Sequence, residues 1–230
     1  MPSQNEKPQA GGPGASEKQE KSSLCISDNP GRDGSQAPRI QRAAHAYYLA
    51  GLSVVPASSR LKHPTMPWTR CRTDRLRPAA LPDWRGDAVF VVCGAISGNL
   101  EILDFDDKGS RFAAWCALVE QRSPSLLPRL VVERSPSGGR HVFYRCRDVV
   151  IPKGVVLARK NTSDSKDCLI ELRGEKDGAV VYPSPGYEIV QGRISQIPCI
   201  SREEREVLIC AAYHFNDRLP TKNTRAWWPK

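Results

Sequence analysis

The 230-residue chain reads as an α/β (α+β) domain, and three observations carry that reading. Short apolar runs bounded by Gly, Pro and Asp crowd its second half, which is the pattern of strands. Helical periodicity closed by cap signals stands near both ends and once between. At the centre, the run G-N-L-E-I-L-D-F-D-D from Gly98 to Asp107 is an apolar strand whose end is loaded with carboxylates.

Residues 1–38 are rich in Gly, Pro, Ser, Gln, Lys and Glu, with little that is large and apolar before Leu24. Such a stretch buries too little surface to offset its ordering entropy, so a disordered arm is expected. Residues 39–50 are Ala-rich with helical spacing and close at Gly51. Residues 52–56 read as a strand. Residues 60–85 are Pro-rich and basic, punctuated by Trp68 and Trp84. Strands follow at 88–93 and 100–106, then an amphipathic helix over 109–120 that ends near Ser123-Pro124.

Residues 130–134 and 141–145 form a hairpin through S-P-S-G-G-R, whose glycines suit a tight turn. Residues 153–167 read as a long polar connection, and 169–173 as a strand. A second hairpin through E-K-D-G is expected to lead to 179–182, with a strand at 187–190. Ser201 and Glu204 make a capping box for a last helix to about Asn216. The division is an arm over 1–38, a catalytic domain over 39–200, and a C-terminal helix and tail over 201–230.

The net charge is +9, and residues 1–40 hold five basic against five acidic side chains. The excess, 29 against 20, therefore lies in the remainder, which suits a polyanionic partner such as nucleic acid. Eight cysteines, none in C-x-x-C spacing, read as reduced thiols and not as a disulfide framework. No apolar run spans a bilayer and the N-terminus lacks the apolar core of a signal peptide, so a cytoplasmic protein without membrane contact is expected.

Alternation along a strand points Asp104 and Asp106 to one face, with Phe105 in the opposite layer. Carboxylates so placed repel unless a cation sits between them, so asparagine at either is expected to leave stability unchanged or raised. Hard divalent ions such as Mg²⁺ take such oxygen ligands together with substrate phosphates. The basic stretch holds Arg70, Arg72, Arg75 and Arg77, candidates for tracking a phosphate backbone; its tryptophans either stack bases or anchor the loop to the core.

Three pieces in order carry a resemblance: Asp104-Phe105-Asp106; Ser137-Gly138-Gly139-Arg140-His141; and Ile170-Glu171-Leu172-Arg173-Gly174, followed by Tyr182-Pro183-Ser184 and Tyr187. Together they resemble the catalytic motifs of the bifunctional primase–polymerase (prim-pol) family of the archaeo-eukaryotic primase superfamily. Lys62-x-Pro64 and Trp68 are similar to that family's early positions.

The resemblance spans about residues 40–200 and implies a prim-pol-like mixed sheet with flanking helices and catalytic acids on central strands. It implies a nucleotidyltransferase of DNA replication, a DNA primase and DNA polymerase, that makes or extends primers on a single-stranded DNA template from nucleoside triphosphates. A plasmid, phage or other mobile element fits as setting, with a replicative helicase in trans as a further partner.

The acids Asp104, Asp106 and Glu171 would then hold magnesium or manganese in a two-metal site. Ser137, Gly138, Gly139, His141 and Arg173 would bind nucleotide, the turn through its backbone N–H groups and Arg173 bidentately. Lys62 joins Arg70, Arg72, Arg75 and Arg77 as a DNA-binding residue. Structural zinc is not expected, since only Cys146 and Cys168 fall between the second and third motifs. The rival readings are a non-catalytic replication-initiator or DNA-binding module, and a metal-dependent nuclease using the same acids. The chain is either a standalone enzyme or truncated from a primase–helicase.

Overall fold

In the computed structural model the described residues are 36–77, 84–162 and 167–218. Helix α1 (Gln36–Leu49) buries Ile40, Ala44 and Tyr47, the one-face spacing of a helix. It stops where Gly51 takes φ +86 and donates its N–H to the Tyr48 carbonyl. Strands β1 (Ser53–Ser58), β2 (His63–Pro64) and β3 (Ala88–Val92) follow, then β4 (Leu100–Phe105) and α2 (Phe112–Arg122). The second half supplies β5 (Val131–Arg134), β6 (Arg140–Arg145), β7 (Val155–Arg159), β8 (Cys168–Arg173), β9 (Gly178–Val181), β10 (Glu188–Gln191) and α3 (Arg202–Tyr213).

The fold is α+β, as expected, but the strands divide between two sheets. One runs β2-β1-β3-β9 and the other β10-β5-β6-β4-β8-β7. Every pairing within them is antiparallel. Strand β4 lies inside the larger sheet, between β6 and β8. Its odd positions Leu103 and Phe105 pack with Trp115 of α2 and Leu208 of α3. Its even positions Leu100 and Ile102 join the layer shared with α1 and the smaller sheet. Asp104 continues that second face, so the acid stands where the layer between sheets opens toward solvent.

Two expectations are corrected. Residues 153–167 are not simply a polar connection, because Val155–Arg159 forms the edge strand β7 beside β8. The E-K-D-G turn does not close a hairpin: β8 pairs β4, whereas β9 crosses to the smaller sheet and pairs β3. The crossing is tight, since a Cβ on Gly178 would lie 2.4 Å from both the Phe90 ring and the Val91 carbonyl oxygen. The disordered-arm reading lies outside the described residues except at 36–38, which open α1. The tail beyond 218 lies outside them too.

The capping box forms as expected: the Ser201 hydroxyl accepts from the Glu204 N–H, and the Glu204 carboxylate accepts from the Ser201 N–H. On the same face of the larger sheet as α3, Arg205 is bound by Glu101 in a buried pair. No described helix is long and apolar enough to cross a membrane.

The turn between β5 and β6 is sterically exacting. A Cβ on Gly139 would lie 2.6 Å from the Phe105 carbonyl oxygen and 3.0 Å from the Ser135 hydroxyl. Backbone cannot yield as a flexible side chain does. Gly139→Ala is therefore expected to cost about 1–3 kcal/mol, the range of an overpacked site, read as a fall in melting temperature. An unchanged melting temperature would show that the turn relaxes freely.

Candidate active site

Register assembles the site. Asp104 pairs directly with His141 on one side and Glu171 on the other, so all three project to one face of the larger sheet. Arg173 is two residues beyond Glu171 and shares that face. Asp106 lies just past the end of β4, tied to β8 by its N–H, which donates to the Leu169 carbonyl at 3.0 Å. A cleft of about 200 Å³ opens here, lined by Asp104, Asp106, Ser137, His141, Arg173, Lys62 and Tyr187, with the first residues of β9. Both sheets contribute walls.

The three acids differ sharply. Asp104 is buried, with Oδ2 accepting from Arg173 Nη2 at 3.0 Å and Oδ1 3.4 Å from His141 Nε2. Burial alone would raise its pKa, but His141 and Arg173 overcome this and lower it to about 2. Asp106 is exposed at the mouth, yet partial loss of hydration and then the Asp104 carboxylate raise its pKa. Glu171 is raised by desolvation too, against Arg173, whose Nη2 lies 3.0 Å from its Oε2. The donors that converge are Asp106, Glu171 and Cys168, whose ligand atoms lie within 4.8 Å of one another. Two carboxylates with an open face fit a divalent cation. Asp104 is instead committed to two cationic side chains.

His141 is held on both sides. Its Nδ1 lies 2.6 Å from Glu133 Oε1, and Glu133 Oε2 accepts from the Tyr182 N–H at 2.9 Å. Burial would depress the imidazole, but Asp104 and Glu133 push its pKa up to about 10. Each ring nitrogen faces a carboxylate oxygen, an arrangement that favours the imidazolium form. Burial pushes the Glu133 carboxyl up, opposed by its bonds to His141. Tyr187 lies over the ring with centroids 6.0 Å apart.

Motif reasoning missed Glu133 and Cys168. A carboxylate at an inward position of the apolar strand V-V-E-R, opposite His141 in register, is the signal that would have found Glu133.

The other expected residues distribute as follows. Ser137 lines the cleft, and its hydroxyl is 3.1 Å from that of Ser135. The Gly138 N–H is spent on the Ser135 carbonyl, so that donor of the turn is already used. Arg173 is shared among Asp104, Glu171 and Asp177. Lys62, assigned to DNA, lines the same cleft as the nucleotide candidates.

Arg70 is exposed and pairs with Asp74, and Arg77 is exposed. Arg72 lies 4.1 Å over the Trp68 ring, while Arg75 lies over Tyr48 and donates to its carbonyl. Trp68 packs edge-on against Phe90, and Trp84 is buried with its indole N–H donating to the Ala88 carbonyl. Both tryptophans are anchors to the core.

A comparison with curated proteins finds no match. The family model described as bifunctional DNA primase/polymerase, N-terminal, matches residues 44–200, more than half of the chain and the whole of the region that builds the cleft. The chain belongs to the prim-pol family.

Proposed function

We propose that the protein is a metal-dependent nucleotidyltransferase that makes or extends primers on single-stranded DNA from nucleoside triphosphates. The observation that carries this reading is the convergence of Asp106, His141, Arg173, Ser137 and Lys62 around one cleft, with Glu171 beside Asp106, in a prim-pol chain. Asp106 and Glu171 would hold Mg²⁺ or Mn²⁺, which supplies charge neutralisation and activation of the attacking hydroxyl. His141, kept cationic by Glu133 and Asp104, presents fixed positive charge to the triphosphate at no reorganisation cost. The Ser135 and Ser137 hydroxyls add donors, and Lys62, which lines the cleft, adds an ammonium group. Arg173 orients Asp104 and Glu171 and stands within the cleft beside them. Tyr187 lines the cleft beside His141.

Template-dependent incorporation of labelled nucleotide, with and without a primer, tests the reading. Metal-dependent extension is the expected result. Degradation of the DNA, or binding without incorporation, would replace it by the nuclease or the pure binding module.

The exposed arginines supply a separate check. Arg70→Ala with Arg77→Ala is expected to flatten the slope of log affinity against log salt, by about one unit per lost phosphate contact. The melting temperature should hold, because neither side chain packs on the core. Arg75→Ala is expected to lower stability instead, since its guanidinium binds the last turn of α1. An unchanged salt slope in the double variant would show that DNA follows another face.

A further inference from the structure

Strand β8 starts at Cys168, and the main-chain bond from Asp106 to Leu169 pins that start against the end of β4. The Cys168 side chain lies beside the Asp106 carboxylate. Glu171 completes the group, with one donor atom from each of the three within 4.8 Å of the others. Cys168 is half-buried and Asp106 is exposed, so the group is open to solvent on one side. Asp104, the remaining acid, has Oδ1 toward His141 and Oδ2 toward Arg173.

We propose that Cys168 is a ligand of the divalent metal held by Asp106 and Glu171, forming a carboxylate–thiolate site that favours borderline transition-metal ions such as Co²⁺ and Zn²⁺ over Mg²⁺. The proposal rests on the metal-dependent reading above and deepens it by naming the donor set. Hard oxygen sites suit Mg²⁺ and Mn²⁺, whereas a sulfur donor shifts affinity toward softer ions higher in the divalent series. Three protein donors with a free position is also the pattern of catalytic zinc, in which substrate or water takes the open place. On binding, the S–H bond breaks, its proton passes to solvent, and the sulfur lone pair forms the bond to the metal. Neither the oxidation state of the sulfur nor that of the metal changes.

Titrating the full chain with Co²⁺ provides a readout independent of catalysis, because a cobalt–thiolate bond absorbs in the near ultraviolet by charge transfer. Binding of Mn²⁺ is followed in parallel by electron paramagnetic resonance. The wild type is expected to show the charge-transfer band, saturating at one Co²⁺ per chain. Cys168→Ser and Cys168→Ala should lose the band and weaken Co²⁺ about tenfold or more, while Mn²⁺ affinity changes far less.

A band that survives both substitutions places the thiolate elsewhere and overturns the proposal. Mn²⁺ binding with no Co²⁺ charge-transfer band in the wild type overturns Cys168 as ligand and leaves the metal-dependent reading standing. Failure of the wild type to bind either ion overturns both. Where the alanine variant does not fold, the near-isosteric Cys168→Ser carries the assignment, and an absent wild-type band overturns the proposal without either variant.

Discussion

Alanine in place of Glu133 is expected to destabilise the protein by about 3–5 kcal/mol, the range for removing one partner of a buried ion pair. Glu133 is fully buried, and its two oxygens are used by the His141 ring and the Tyr182 N–H. Removing them leaves an imidazolium beside a cavity and takes from the Tyr182 N–H the acceptor it uses. Glu133→Gln keeps an acceptor for Tyr182, so it should cost less, about 1–2 kcal/mol. Both variants should lower the pKa of His141, because one of the two carboxylates that raise it has gone. Chemical denaturation and an NMR titration of the imidazole measure the two effects. A cost below about 1 kcal/mol for alanine would mean that water replaces the carboxylate at this position.

The second large effect separates Asp104 from Asp106. On the proposed reading, Asp106→Asn is expected to reduce nucleotide incorporation about 10³-fold, as loss of the proposed metal ligand removes several kcal/mol of transition-state stabilisation. Its stability should hold or rise, since the native carboxylate is raised by lost hydration and by its neighbour. Asp104→Asn should instead lose about 2 kcal/mol at neutral pH with metal chelated, the linkage equivalent of lowering a buried carboxyl from 3.8 to about 2.

The sign follows from the depressed pKa. That stabilisation is present above the ordinary value of 3.8 and is lost as pH falls through about 2, so the variant and the wild type converge in acid. At the other end, the stability that His141 gains is complete below 6.5 and fades as pH rises toward 10. The alkaline limb should move to lower pH in Asp104→Asn. Equal stabilities at pH 7 for the two asparagine variants would contradict this division.

That division also marks what the chain made legible. Alternation placed Asp104 and Asp106 on one face, and from that alone asparagine at either was expected to leave stability unchanged or raised. The structure corrects this for Asp104, whose oxygens are held by Arg173 and His141. Those cations come from strands whose register is set only in the folded sheet, so no local pattern shows which acid they reach.

Local signals served well where the physics is local. Gly51 ends α1, the Ser201–Glu204 box starts α3, and S-P-S-G-G-R turns β5 into β6. They failed where pairing is a choice between distant partners. Nothing in E-K-D-G states that β9 leaves β8 for β3 in another sheet. Strand β7 was lost because V-V-L-A-R is short and sits among polar residues. Glu133 looked like an ordinary strand residue until its partner across the hairpin was known to be a buried histidine.

The separation of β8 and β9 between two sheets has a consequence for how the protein comes into being. Arg173 reaches Asp104 across 69 residues of sequence, and Ser184 holds the Val89 N–H across 95. Contacts so distant repay their loop-closure entropy only once most of the domain is present. A growing polypeptide that has emerged through β6 already carries Asp104, Asp106 and His141, but neither Glu171 nor Arg173. Its interior strands β3 and β4 then each lack a neighbour and expose main-chain edges that invite association with other chains. The cleft is completed only after β8 and β9 have emerged, and until then the open edges of β3 and β4 are the exposed liability of this topology.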